Sequence, residues 1–257
     1  VLRLSPTKIA VFEECPRRYK FLYLDGLGKF YKRVRPYFTL GENVHQALKE
    51  IYSLPAKLRT GEKLEELLHK IWATNHGGFS NPEEENMYKN RALQQIRWFA
   101  QNFDLKASPI MLEVVVREEI SGLILEGRVD RVDREGKDSL HLIDYKTGNR
   151  PLSPDPRPLY LYSLALEQRQ SMAHVAKVSY LYLQDQEAMS WEFGPEAFSS
   201  TLRWLLDVAY RISQETEYPP IQGRFCQSCD FREICPAHIH PKNSKNFWGP
   251  RKFKSQK

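Results

Sequence analysis

No stretch of the 257-residue chain approaches the roughly 18 consecutive apolar residues that a membrane-spanning helix needs. The opening residues, Val1 to Arg18, are charged and lack the apolar centre of a secretion signal. The expectation is therefore a soluble, cytoplasmic protein with no membrane partner. Internal repeats are absent, and 41% hydrophobic with 27% charged residues excludes collagen-like, low-complexity and fully disordered chains. Cysteine is scarce, at four residues, too few in a chain read as intracellular to suggest a disulfide framework. What remains is an ordinary globular composition, long enough to bury a sizeable core.

Acidic residues are sparse at the ends. Residues 1–35 hold nine Lys/Arg against three acids, and residues 242–257 hold six Lys/Arg and no acid. Each end carries +6 in a chain whose net charge is +6, so the body between them sums to −6. Aromatic residues (Tyr19, Tyr23, Phe30, Tyr31, Phe247, Trp248) are interleaved with the basic ones. That pattern suits a polyanion with bases to stack. It equally suits solvated faces and a disordered tail.

Ser5-Pro6-Thr7 reads as a helix start, with a helix expected through Ile9, Phe12 and Tyr19 towards Leu24. Residues 41–53, 62–74 and 83–103 have helical spacing, with a loop from Asn75 to Pro82. The period then changes. Residues 111–120, 123–133 and 139–145 read as a three-stranded meander turning at Ser121-Gly122 and near Gly136. A Pro-rich connector leads to a helix over 159–170, strands over 175–183 and 188–193, and a long helix over 195–214. This order predicts an α/β domain with a central mixed sheet and a helical insertion.

Asp130 lies late in the second strand of the meander (GRVDRVD), and Asp144 and Lys146 end the third (IDYKTG). Side chains two apart on a strand share a face, so Asp144 and Lys146 project together. Pairing about Gly136 is expected to put residue 130 roughly opposite 143, close enough for both carboxylates to share a cation. Two hard oxygen ligands suit Mg²⁺ or Mn²⁺, and the Lys146 ammonium beside them can orient water and offset developing charge. Taken singly, Asp130 also reads as part of a surface ion-pair cluster with Arg128 and Arg131, and the Asp144 segment as a strand end entering a turn.

In this order the pieces resemble the PD-(D/E)xK nuclease superfamily in its RecB-like exonuclease branch, from about residue 4 to residue 238. Gly41 to His45 is similar to that branch's G-x-x-x-H helix, whose His is a metal ligand. Glu113 matches a frequent acidic residue, and Tyr162 in LYLYSLAL matches the Tyr of a Q-x-x-x-Y helix. The family's Gln falls on Pro158, which has neither side-chain amide nor N–H. The resemblance implies a restriction-endonuclease-like core, with 41–110 mostly helical, 111–214 the nuclease core and 242–257 a basic tail, all in one nuclease domain. It also implies Mg²⁺ or Mn²⁺ at His45, Asp130, Asp144 and the backbone carbonyl of Tyr145. Lys146 would orient the attacking water, Tyr162, Arg17, Arg18 and Lys20 would hold DNA, and Glu113 would assist indirectly.

Three of the cysteines read C-x2-C-x5-C (Cys226, Cys229, Cys235), and Cys15 stands 211 residues before the first of them. Zinc sites draw two close pairs. One distant thiol suits an iron–sulfur clasp better, and His238 or His240 as a zinc ligand is the alternative. Here too the sequence resembles the AddB-type and CRISPR-associated exonucleases, whose 4Fe–4S cluster is held by one N-terminal and three C-terminal cysteines. ECPRRYKFLYL and FCQSCDFREICP are similar to the two halves, implying a cluster region of residue 15 with 221–240 at the C-terminal side. The expected function is hydrolysis of single-stranded DNA ends in DNA repair, recombination or CRISPR-type processing. No helicase motif is present, so any unwinding would come from a partner; the resemblance leaves open a helicase partner, a CRISPR-integration partner or action alone. A non-catalytic DNA-binding module and a zinc-stabilised RNA-processing factor are the other readings.

Overall fold

The computed structural model describes residues 1–168 and 173–239. In chain order the elements are β1 (Arg3–Leu4), α1 (Pro6–Glu14), α2 (Pro16–Tyr19), α3 (Gly28–Tyr31), α4 (Pro36–Ser53), α5 (Gly61–Thr74) and α6 (Pro82–Asn102). Then follow β2 (Met111–Ile120), β3 (Leu123–Arg134), β4 (Ser139–Lys146), α7 (Arg157–Glu167), β5 (His174–Tyr182), β6 (Glu187–Glu192), α8 (Pro195–Gln214) and α9 (Pro236–Ile239). They form two compact units. The first takes Val1–Pro6 and Val34–Arg211, and the second takes Thr7–Arg33 with the described residues from Ile212 on.

The first unit is a mixed α/β fold, as its element order predicts. Its sheet runs β1-β3-β4-β5-β6, with β2 also paired to β3. β1/β3 and β4/β5 are parallel, whereas β2/β3, β3/β4 and β5/β6 are antiparallel. Ser121 and Gly122 both take left-handed φ values, 50° and 78°, as a two-residue hairpin turn requires. α4, α5 and α6 pack on one another. Leu40, Val44, Leu48 and Ile51 recur at helical spacing on α4 and are buried. With Leu64, Leu68, Trp72, Ile96 and Phe99 they form a core that also takes Ile143 and Tyr145 of β4 and Leu181 of β5. α7 packs against β2, β3, β4 and β5, so the central strands are buried on both faces. The helix starts follow local chemistry. The Thr60 hydroxyl caps α5 by accepting from the Lys63 N–H. The Asn81 side chain caps α6 by accepting from the Glu84 N–H, ahead of Glu83, Glu84 and Glu85 in the first turn.

The second unit departs from expectation. The single helix expected from Pro6 towards Leu24 breaks at Cys15, which is extended at φ −162° and ψ 106°. Pro16 is the cause, because its ring disfavours helical geometry in the residue before it. The chain then makes α2 and a wide π-type turn over Lys20–Leu24. Phe231 is buried between the rings of Phe21 and Tyr31, at 5.4 and 5.9 Å, and Tyr19 stacks on Tyr218. The basic tail expected to bind polyanions, 242–257, lies outside the described residues.

Candidate active site

Four elements of the first unit converge on one group of side chains. α4 supplies His45, β2 Glu113, β3 Asp130 and β4 both Asp144 and Lys146. His45 Nδ1 lies 3.3 Å from Asp130 Oδ1 and 3.6 Å from Glu113 Oε1. One ligand atom from each of these three residues falls within 4.8 Å of the others, a spacing that can hold a metal ion. Glu113, expected to act indirectly, therefore stands in this triangle directly. Asp144 stands beside it, with both carboxylate oxygens accepting from Lys146 Nζ at 2.5 and 2.8 Å. The shared face expected of residues 144 and 146 is what makes that contact.

Backbone irregularity brings the carboxylates together. Glu113 takes φ 47°, inside a strand, where a non-glycine residue is strained. It falls opposite Asp130, between the paired positions Leu112↔Arg131 and Val114↔Val129. β3 and β4 pair only as far as Arg131↔Ile143. That register sets Asp130 against Asp144, one residue beyond the expected partner. Where the two strands part, Asp130 Oδ2 accepts the Tyr145 N–H at 2.8 Å, taking the place of a ladder bond. The other Asp130 oxygen is left facing His45.

Charge and burial pull in opposite directions here. Burial works against the His45 imidazolium, yet its hydrogen bonds to Asp130 and Glu113 outweigh burial and push its pKa up to about 10. Burial pushes Asp144 up to about 6, with Asp130 adding to the effect and Lys146 opposing it. Lys146 is raised despite burial, because Asp144 holds its charge. Burial, then Asp144 and Asp130, raise the Tyr162 phenol, so it keeps its proton. The Tyr162 ring lies over Gly127, where an added Cβ would overlap ring atom Cε1. That close approach is why glycine opens GRVD. Pro158, in the place of the family's Gln, sits in the first turn of α7 as expected.

The group opens into a groove that Tyr37, Phe38 and Arg128 also line. From the sequence, Tyr37 and Phe38 have no assigned role, and Arg128 reads only as part of a surface ion-pair cluster. Arg128 lies two residues before Asp130, and its NH1 is 3.6 Å from Glu113 Oε2. Arg17, Arg18 and Lys20, expected to hold DNA, lie in the second unit. There Arg17 NH2 donates to the Glu217 carbonyl, Arg18 pairs with Glu14, and Lys20 pairs with Asp25 at 2.8 Å.

The second unit brings Cys15, Cys226, Cys229 and Cys235 to the lining of one cavity. All four sulfurs meet a backbone N–H. Ile221 N–H donates to Cys15 Sγ and Gly223 N–H to Cys226 Sγ, each at 3.4 Å. Cys229 is bonded by the backbone of Phe231 and Cys235 by that of Ala237. Burial, then the neighbouring cysteines, raise the thiols of Cys229 and Cys235. Arg17 and His238 line the same cavity, and Arg17 Nε and His238 Nε2 are buried there without a partner among the described residues. Of the two histidines weighed for zinc, His240 lies outside the described residues.

A comparison with protein families matches residues 3–236 to the PD-(D/E)XK nuclease superfamily. The chain belongs to this superfamily. Its members use divalent metals, and the acidic group on β2, β3 and α4 stands where such an ion could bind. Among solved structures, a candidate exonuclease from Eubacterium rectale is similar at TM-score 0.54 and 12% identity, over 88% of this chain and 86% of that one. The protein SSO0001 is 17% identical at TM-score 0.37, over 78% of this chain and 95% of that one. Comparison with curated protein sequences gives no match. Among the described residues of this PD-(D/E)XK protein, no helix is long and apolar enough to cross a membrane.

Proposed function

We propose that this PD-(D/E)XK protein is a Mg²⁺- or Mn²⁺-dependent deoxyribonuclease of the RecB-like type, an exonuclease that hydrolyses single-stranded DNA from its ends. The convergence of His45, Glu113 and Asp130 beside the Asp144–Lys146 pair carries this reading. The fold shared with a candidate exonuclease accords with it. His45, Glu113 and Asp130, with Asp144 and the Tyr145 carbonyl, would hold the ion, which when bound supplies Lewis-acid stabilisation of phosphoryl charge and lowers the pKa of water. Lys146 keeps its proton at neutral pH, so it acts as a donor. It orients the attacking water and meets the negative charge that builds on the phosphoryl oxygens. Asp144 sets the ammonium by accepting from it with both oxygens. Tyr162 donates a hydrogen bond from its phenol to the substrate backbone, and Arg128 offers a cation to a flanking phosphate.

The cysteine cavity fits an anionic cluster. Four sulfurs with N–H donors, together with the unpartnered Arg17 Nε and His238 Nε2, match the hydrogen bonding that thiolate-held iron–sulfur groups receive. The four cysteines would hold 4Fe–4S, tying the N-terminal helices to the C-terminal segment. Duplex DNA would reach the site already separated by a helicase partner.

Incubating the protein with DNA labelled separately at each end, in Mn²⁺ or Mg²⁺, tests the reading. Asp144→Asn and Lys146→Ala are expected to slow cleavage about a hundredfold or more while binding DNA within a few-fold of wild type. A wild type that cleaves no DNA in either metal overturns it, in favour of a DNA-binding module on a nuclease fold.

A further inference from the structure

We infer that Tyr37 and Phe38 form a base-stacking subsite that admits unpaired nucleotides to the metal centre. The inference rests on the nuclease reading and deepens it, because it names what discriminates strand form. Both residues lie in the first turn of α4, directly after Pro36. Their ring centroids are 4.6 Å apart with planes tilted by 49°. Tyr37 is 51% and Phe38 38% exposed. Two adjacent large rings left partly exposed run against the usual tendency to bury aromatic area. They stand at one place, the groove that also holds His45, Glu113, Arg128 and Asp130.

Helix geometry relates the rings to the reacting centre. Phe38 and His45 are seven residues apart on α4, two turns along one face, or roughly 10.5 Å. At about 3.4 Å per stacked nucleotide, that spans about three nucleotides. A strand whose scissile phosphate lies at His45 and Asp130 thus carries a nearby base to the rings. Arg128, 63% exposed at its side chain, supplies a cation for the phosphates between. Aromatic rings stack on any base, because every base has a π-face. In a duplex both faces of each internal base are already covered by its neighbours. An unpaired nucleotide offers Tyr37 and Phe38 the faces that an internal paired base does not, so the subsite favours single strands without reading sequence.

The test uses the full chain and fluorescence anisotropy, with Ca²⁺ replacing the catalytic metal so that binding is read without cleavage. The probes are labelled oligothymidylate, a strand of the same length with abasic positions, and a blunt duplex. Tyr37→Ala with Phe38→Ala is expected to weaken oligothymidylate binding about tenfold or more, leaving duplex affinity within about twofold. Tyr37→Trp with Phe38→Trp is expected to restore it. Wild type should bind the abasic strand as weakly as the double-alanine protein does, which should lose nothing further on it. The proposal is overturned if the double-alanine protein binds oligothymidylate like wild type, or if its loss is equally large on the abasic strand. Parallel cleavage in Mn²⁺ separates the two claims. A wild type that stacks bases but cuts nothing sinks the nuclease reading alone. A wild type that cuts while the double-alanine protein binds normally sinks the stacking subsite alone.

Discussion

His45 must lose a proton before it can hold a cation. Facing Asp130 and Glu113, which push its pKa up to about 10, it carries a proton at neutral pH. At neutral pH each ion bound there displaces that proton, so affinity rises with pH, by up to about tenfold per unit. Calorimetry with Mn²⁺ between pH 7 and 8.5, above the range in which Asp144 also carries a proton, in buffers of differing ionisation enthalpy, should show this rise with one proton released. His45→Ala should bind more weakly with a flatter pH dependence, and a flat wild-type profile would refute the assignment. Asp144 adds a second limit. Its carboxyl, pushed up to about 6 by burial, becomes neutral as pH falls through that value. Lys146 then loses its anionic partner, so cleavage should decline on the acid side of pH 6. The pairing of Asp144 with Lys146 is legible in IDYKTG, because the two-residue strand period alone puts both on one face. The part played by Glu113 is not, because a left-handed residue inside a strand has no signature in MLEVVV.

At the scale of elements, the site depends on where regular pairing stops. β3 and β4 separate after Arg131↔Ile143, and the Asp130 carboxylate takes the amide that would otherwise be left unmet. The sequence shows both strands by their alternation, but their register depends on how many residues the turn around Gly136 absorbs. The expected pairing is accordingly off by one. α4 begins at Pro36, five residues ahead of the expected start, and runs through Gly41, where an added Cβ would lie 3.3 Å from Thr147 Oγ1. Gly127 gives a sharper test of packing across elements. Gly127→Ala should cost about 1–3 kcal/mol in urea unfolding, since its Cβ overlaps the Tyr162 ring. In a Tyr162→Ala background the same change should be close to neutral. Equal costs in both backgrounds would show that the contact does not constrain position 127.

At the scale of the whole molecule, residues near the two ends of the chain make one compact unit around four cysteines. Protein isolated anaerobically should carry about four iron and four sulfide per chain and absorb near ~400 nm. Cys15→Ser should lose both and melt at a lower temperature, because one thiolate from the N-terminal segment closes a loop spanning most of the chain. One equivalent of zinc and no visible absorbance would decide against the cluster. The basic tail permits a separate measurement. Deleting 242–257 removes six positive charges and no negative ones. Single-stranded DNA affinity should fall, and the slope of log affinity against log salt should shrink, by up to about four if every charge meets a phosphate. An unchanged slope would make the tail a solubilising segment.

The sequence by itself determined the kinds of element and the chemical inventory. Helical spacing over 195–214 and alternation over 111–120 match α8 and β2 end to end, because burying one face imposes its period locally. Asp130, Asp144, Lys146 and His45 are visible as residue types suited to a cation and a phosphate. Tertiary structure decided which of them meet. Glu113 joins His45 and Asp130 through a strained backbone and a cross-strand register, Tyr162 settles over a glycine on a different element, and Tyr37 and Phe38 reach the same groove by lying two turns up the helix from His45. The first two rest on contacts between residues far apart in the chain, of which local propensity carries no record, whereas the third follows from helix periodicity once the start of α4 is known.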